Sequence, residues 1–228
     1  MIILEDKKIE RALFENREQA LVPIEITERD GELEIITFEK TKGVAIELEK
    51  RYSSAPFSDE AVSFIHESLK DEVKAWGYAV DDINEGHIIT FVHNQLKESL
   101  ILPNTKMIKS SKGYKNLTDY ELEDLPSDGD ECYFVTIEEE KIVSVCEMNT
   151  EGAFIGATEI NTYTAPEYRG RGYSASNVSA MCKYLMERGK KIAYTAHRDN
   201  LASLSIAKRC GFEKIAQTYY YICYNDEN

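Results

Sequence analysis

The stretch that most limits what this chain can become runs from residue 158 to residue 189. Residues 158–164 (TEINTYT) carry the β-branched and aromatic content of a strand. Pro166 ends that strand, because its ring removes a ladder donor. Val178, Met181, Cys182 and Leu185 then recur at three- and four-residue spacing, which makes one apolar helix face closed by Gly189. Between strand and helix lies Arg169-Gly170-Arg171-Gly172-Tyr173-Ser174. Glycines there let backbone N–H groups converge, and the first helical turn offers unpaired N–H groups with partial positive charge. That is an anion site, and two arginines add full charges suited to phosphate oxygens. Two solvated arginines in an ordinary turn would read the same in isolation, so the context has to decide. The spacing is neither a dinucleotide fingerprint nor a P-loop with its Lys-Ser/Thr pair.

Charge is unevenly divided along the chain. Between Pro166 and Lys214 there are ten Lys/Arg against four Asp/Glu, a surplus of six, which leaves −20 for the rest of a chain whose total is −14. One basic patch on an acidic protein suits an anionic ligand held in one place and argues against nucleic acid as a partner. The 228 residues, 43% hydrophobic and 30% charged, suffice for one large globular domain or two small ones. Five cysteines, Cys132, Cys146, Cys182, Cys210 and Cys223, form no C-x-x-C pair and sit mostly in apolar segments, as reduced core thiols of a cytoplasmic protein would. No run is long enough to span a bilayer and no signal h-region opens the chain, so no membrane partner is expected.

In chain order, residues 31–39 and 43–49 (GVAIELE) alternate as strands, and 87–93 reads as another. Ser58 is placed to cap a helix whose apolar positions Val62, Ile65, Leu69, Val73 and Trp76 step by three and four before Gly77. His87 and His93 flank a strand without carboxylate partners, and no metal site is assigned. Residues 103–116 are polar and basic, a connecting segment or edge strand, so a boundary is expected there: residues 1–103 a mixed α/β region of unknown role, 104–228 the domain with the loop. Thr118 and Glu121 fit a capping box. Residues 132–139 and 141–148 form a hairpin, and 152–164 is the strand that enters the loop. After the loop helix comes a buried strand, 192–196, and a helix capped by Asn200 with Leu201, Leu204, Ala207 and the Lys208 stem as its face and Gly211 as its stop. Residues 213–224 close the chain as a strand containing Tyr219-Tyr220-Tyr221.

Two motifs, PEYRGRGYS at 166–174 and NLASLSIAKRCGF at 200–212, stand in this order on elements of this kind. Together they resemble the GNAT acetyltransferase superfamily over residues 104–228, and EINTYTAPEYRGRGY with AHRDNLASLSIAKRCGF resembles the zwittermicin A resistance branch of it. The resemblance implies an α/β (α+β) GNAT fold, a mixed and mostly antiparallel sheet flanked by helices. It implies acetyl-CoA as cosubstrate, with no metal. The loop Arg169, Gly170, Arg171, Gly172, Tyr173 and Ser174 would hold the pyrophosphate, and Tyr163, Thr164, Asn200 and Ser203 would complete the cofactor site. The pantetheine would insert where strand 159–164 splays from strand 192–196. Two departures stand out: Ser174 replaces a commoner Gly or Ala, and Ala207 falls where many members have the Tyr that protonates the leaving thiolate.

The reaction implied is transfer of acetyl to a primary amine of a small molecule by direct attack in a ternary complex. A lysine-like ammonium titrates near ~10.4 and must lose a proton first. Glu159, which alternation places on one face with Asn161 and Tyr163, is the candidate base. Tyr220, or a neighbouring tyrosine, is the candidate acid in place of the residue lost at Ala207. A backbone N–H near Tyr163 or Thr164 would polarise the thioester carbonyl. The rival reading, motivated by Ala207, is a catalytically idle acyl-CoA-binding sensor. The family usually has one strand more after the last one here, so that edge is expected from elsewhere in the chain or from a second copy in a homodimer.

Overall fold

The computed structural model describes residues 2–5, 20–80, 86–116, 122–126, 129–149 and 156–225. In chain order the elements are β1 (Ile2–Glu5), β2 (Ala20–Arg29), β3 (Glu32–Thr37), α1 (Lys42–Tyr52), α2 (Asp59–Ala75), β4 (Tyr78–Val80), β5 (His87–His93), β6 (Thr105–Ile108) and β7 (Lys115–Asn116). They continue as β8 (Tyr133–Glu138), β9 (Lys141–Asn149), β10 (Thr158–Thr164), α3 (Tyr173–Met186), β11 (Ile192–His197), α4 (Leu201–Arg209) and β12 (Phe212–Asn225). The architecture is α+β, a mixed sheet flanked by helices. Among the described residues no helix is long and apolar enough to cross a membrane. The expected capping box at Thr118 and Glu121, and residues 152–155 of the expected long strand, lie outside the described residues.

The chain separates into two compact units, Met1–Ile89 with Ile215–Asn228, and Thr90–Lys214. This partition differs from a single cut near residue 103, and pairing explains half of it. Residues 216–224 of β12 run antiparallel to β2, so the neighbour looked for beyond the last strand is an N-terminal strand of the same chain.

In the first unit β2 and β3 form a hairpin over Asp30 and Gly31, both with positive φ (53° and 78°), the geometry of a two-residue type I′ turn. The strand order is β1-β3-β2-β12, with β4 on the far end of β12. Leu21, Ile24, Ile26 and Ile35 meet Ala45 and Leu48 of α1 and Ala61, Val62, Ile65, Leu69 and Val73 of α2 in one core. The α2 helix begins where expected: the Ser58 hydroxyl accepts from the Ala61 N–H at 3.2 Å. Residues 43–49, however, are helical and not a strand. Alternation would have set Val44, Ile46 and Leu48 on one face, yet Ile46 is half exposed while Ala45 and Leu48, three apart, are buried. A core able to receive a helical stripe over-rode a short period-two pattern.

In the second unit the order is β11-β10-β9-β8-β6, with β7 parallel to β9. The expected hairpin is β8 and β9, turning at Glu139 and Glu140 with φ 48° and 63°. One face of it, with Tyr133, Val135, Ile142 and Val145, forms a second core to which Tyr163 contributes. The other face carries a buried polar chain to α3. Asn177 donates to Ser144 Oγ at 3.0 Å and accepts from Thr136 Oγ1 at 3.0 Å, and Ser144 Oγ lies 2.7 Å from Thr164 Oγ1. Thr164 Oγ1 in turn lies 2.7 Å from Ser174 Oγ in the first turn of α3. Every member has a partner, so the chain of hydroxyls fixes the loop helix on the sheet without a desolvation deficit. Asn177→Leu would strip buried hydroxyls of their partners, and we expect a loss of about 2 kcal/mol or more in a urea melt.

Candidate active site

An open cleft lies within the second unit, between the end of β10, the start of α3 and the flank of α4. Its floor is Thr162, Tyr163 and Thr164, its middle the loop from Tyr168 to Ala175 without Arg171, and its wall Asn200, Ala202, Ser203, Ser205, Ile206 and Arg209. The α4 side is set by its cap, the Asn200 side chain accepting from the Ser203 N–H at 3.1 Å.

The loop has the geometry of an anion cradle. Gly170 and Gly172 both take left-handed backbone, φ 78° and 85°, and an added Cβ at either would meet nothing within 4 Å. Gly172 is the N-cap of α3 and supplies no side chain, and the first intrahelical bond runs from Ser176 N–H to the Gly172 carbonyl. The N–H groups of Tyr173, Ser174 and Ala175 therefore have no intrahelical acceptor and converge on the cleft. Arg169 donates its Nε–H to the Thr164 carbonyl at 3.1 Å and lies over the Tyr163 ring, while Arg171 lies over the Tyr168 ring and donates to the Glu167 carbonyl. Among the described residues neither arginine forms an ion pair.

Beside the loop the sheet opens. β10 and β11 are paired in parallel only at Thr158/Ile192 and Glu159/Ala193, although both strands run on for several residues. Meanwhile β10 stays paired with β9 along its whole length. Two bonds fix which N–H groups face the opening. Ala165 N–H donates to Val143 on the β9 side, whereas Thr158 N–H donates to Lys191 on the β11 side. Strand alternation then turns the N–H groups of Thr162 and Thr164 toward β11, beyond the last paired residues. The donor expected at Tyr163 or Thr164 is thus narrowed to even-numbered positions. Such a slot can hold an extended, amide-bearing chain by strand-like hydrogen bonds, with its anionic end on the loop.

Of the residues singled out from the sequence for the cofactor, Tyr163, Thr164, Arg169, Gly170, Gly172, Tyr173, Ser174, Asn200 and Ser203 line this cleft, and Arg171 does not. The Ser174 hydroxyl is engaged with Thr164. Glu159 shares a face with Asn161 and Tyr163, at the last paired position before the splay, and accepts a hydrogen bond from the Thr195 hydroxyl. Tyr220 belongs to the first unit, where it pairs with Glu25 across β2, and it is not among the cleft residues. Burial, with Glu25 nearby, raises its phenol. Tyr219 and Tyr221 are buried in the first unit's core. The α4 face differs from the one expected: Leu201 is 75% exposed, and Ala207 is the buried residue of that helix. Residues that the sequence reading passed over are Thr162, Tyr168, Ala175, Ala202, Ser205, Ile206 and Arg209. The signal for the last four was helical spacing from Asn200, since 202, 205, 206 and 209 share one face. All five cysteines are free and buried, and no group of three or more His, Cys, Asp or Glu among the described residues could hold a metal.

The profile of the Acetyltransferase (GNAT) family matches residues 96–212, which include the cleft, the loop and both motifs. The chain belongs to this family. Members use acetyl-CoA as a cosubstrate, and the fold described above is the GNAT fold. Solved GNAT-family structures are similar at low identity. One from Novosphingobium aromaticivorans DSM 12444 is 14% identical with a TM-score of 0.49, covering 66% of this chain and 68% of that one. A GCN5-related N-acetyltransferase from Kribbella flavida is 14% identical with a TM-score of 0.45, covering 74% and 75%. A GNAT acetyltransferase from Colwellia psychrerythraea is 12% identical with a TM-score of 0.46, covering 67% and 60%. No curated protein matches the chain.

Proposed function

We propose that this GNAT protein transfers an acetyl group from acetyl-CoA to the primary amine of a small molecule by direct attack in a ternary complex. The observation that carries the reading is the alignment of an anion cradle at the start of α3 with the slot where β10 leaves β11. In this reading the pyrophosphate lies on the N–H groups of residues 173–175, with Arg169 beside it, and the pantetheine runs along the exposed edge of β10. The thioester carbonyl is polarised by a backbone N–H at Thr162 or Thr164. The amine nitrogen, once deprotonated by a carboxylate on the face of Glu159, bonds to the acetyl carbon, and the C–S bond breaks to release CoA thiolate, which takes up the second proton of that nitrogen to leave the amide. A thiol titrates near ~8.5, so that leaving group needs little acid assistance. Buried Ala207 is therefore compatible with turnover, and Tyr220 remains a proposed donor to be tested by Tyr220→Phe. The motif resemblance to the zwittermicin A resistance branch favours a small-molecule acceptor in the cytoplasm.

The test is release of free thiol from acetyl-CoA across aminopolyols, polyamines, amino acids and peptide N-termini. We expect one class to raise release well above hydrolysis. Tight CoA binding without thiol release for any amine would instead mark an idle acyl-CoA sensor.

A further inference from the structure

We infer that Glu147, on the strand beside the one that carries Glu159, is the base that takes the proton from the acceptor ammonium, with Asn161 holding its carboxylate in place. The inference rests on the acetyl-transfer reading and deepens it.

Its basis is register. On the antiparallel β9–β10 pair Glu147 stands directly opposite Asn161, and Glu159 is the diagonal neighbour, about 7–8 Å away. Asn161 lies just past the point where β10 leaves β11, so Glu147 stands one strand from the opening, directly across from Asn161. Two carboxylates thus compete for the role, and their surroundings differ. The Glu159 carboxylate is engaged by Thr195, the hydroxyl donating across the start of the splay. Glu147 is half-buried next to Val145 and the core that includes Tyr133 and Tyr163. Its partner is a neutral amide, the Asn161 side chain, and it forms no ion pair among the described residues. Burial raises its carboxyl from its ordinary value, and the Asn161 bond only partly offsets this. A base is most effective as its pKa approaches the working pH, and an unpaired carboxylate is free to receive an ammonium. The other titratable groups on this face are Tyr133, whose phenol burial raises with Glu147 adding to it, Tyr163, Glu159, and His197 at the end of β11.

In the step itself an N–H proton of the ammonium passes to a Glu147 oxygen. The freed lone pair forms the N–C bond to the acetyl carbon while the C–S bond breaks, the second N–H proton of the attacking nitrogen passes to the thiolate to leave the amide and CoA thiol, and the carboxylic acid returns its proton to solvent.

The experiment compares Glu147→Gln with Glu159→Gln, using acetyl-CoA and the best amine of the panel. Expected is a fall in kcat of ~10²-fold or more for Glu147→Gln, with CoA affinity unchanged and a deficit that shrinks as pH rises toward the pKa of the amine. Glu147→Asp keeps the carboxylate and should restore part of the rate, with the acidic limb of the pH profile displaced. Should the Gln variant fail to fold, that limb decides: displaced, it supports Glu147, and unmoved, it overturns it. A folded Glu147→Gln protein within about threefold of wild type, far outside the range for loss of a base, overturns the inference too. If Glu159→Gln then shows the loss, the transfer reading stands with the base at Glu159. Wild-type protein that binds CoA and acetylates no amine removes both.

Discussion

Replacing Gly172 by Glu should lower CoA affinity by ~100-fold or more, about 2.7 kcal/mol, while the protein stays folded. Gly172 occupies the N-cap of α3 with φ 85°, and its Cβ direction opens into the cleft, with nothing within 4 Å. A glutamate there would place its carboxylate against the N–H groups of residues 173–175, where the pyrophosphate is proposed to lie. It would act as an internal anion competing for the same donors and repelling the ligand. The left-handed backbone costs a non-glycine residue about 1–2 kcal/mol, and a carboxylate at a helix N-terminus returns about 0.3–1 kcal/mol of that. Stability should therefore change little. Calorimetry would read the effect directly, with Gly172→Ala as the control that carries the backbone cost without the charge. Unchanged affinity in folded Gly172→Glu protein would remove the α3 cradle from the proposed site.

Among the described glycines of the second unit, Gly211→Ala should be the most disruptive substitution, costing about 3 kcal/mol or more. With φ 86°, an added Cβ would sit 1.9 Å from the Gln95 carbonyl oxygen and 2.9 Å from its carbon, an overlap with backbone that no rotamer relieves. The approach is close because the Gly211 carbonyl accepts from the N–H groups of both Asn94 and Gln95, so relief would break two hydrogen bonds. Gly189 makes a matched control: its φ is 68°, and an added Cβ would meet nothing. Gly189→Ala should cost about 1 kcal/mol, the backbone penalty alone. Urea midpoints for the two variants measure the difference, and equal losses would mean that the contact with Gln95 yields easily.

These two glycines show where reading the chain succeeded and where it fell short. Gly211 is legible as the end of a helix, since C′ glycines answer a local need that sequence displays. Its contact with Gln95, more than a hundred residues earlier, has no trace in the neighbouring residues. Likewise the Asp30-Gly31 turn was a legible hairpin signal, yet residues 20–29 were passed over as a strand; their role became plain only from pairing with both β3 and β12. At the candidate site, the loop and Asn200 were found by punctuation and spacing. Glu147 went unnoticed because its significance lies in standing opposite Asn161, a matter of register between strands.

The sequence by itself determined the elements whose causes are local: the capped helix after Ser58, the hairpin of β8 and β9, the glycine turn before α3 and the cap at Asn200. In each, the residues that make the feature lie within a few positions of one another, so chain order carries the physics. Tertiary structure alone decided what depends on partners distant in sequence. It made residues 43–49 a helix, because the core accepted Ala45 and Leu48 and left Ile46 in solvent. It made Tyr220 part of the first unit, whereas the cleft residues belong to the second, and it brought Glu147 beside Asn161. Burial and strand register are properties of the assembled sheet, and a single strand read alone permits either face.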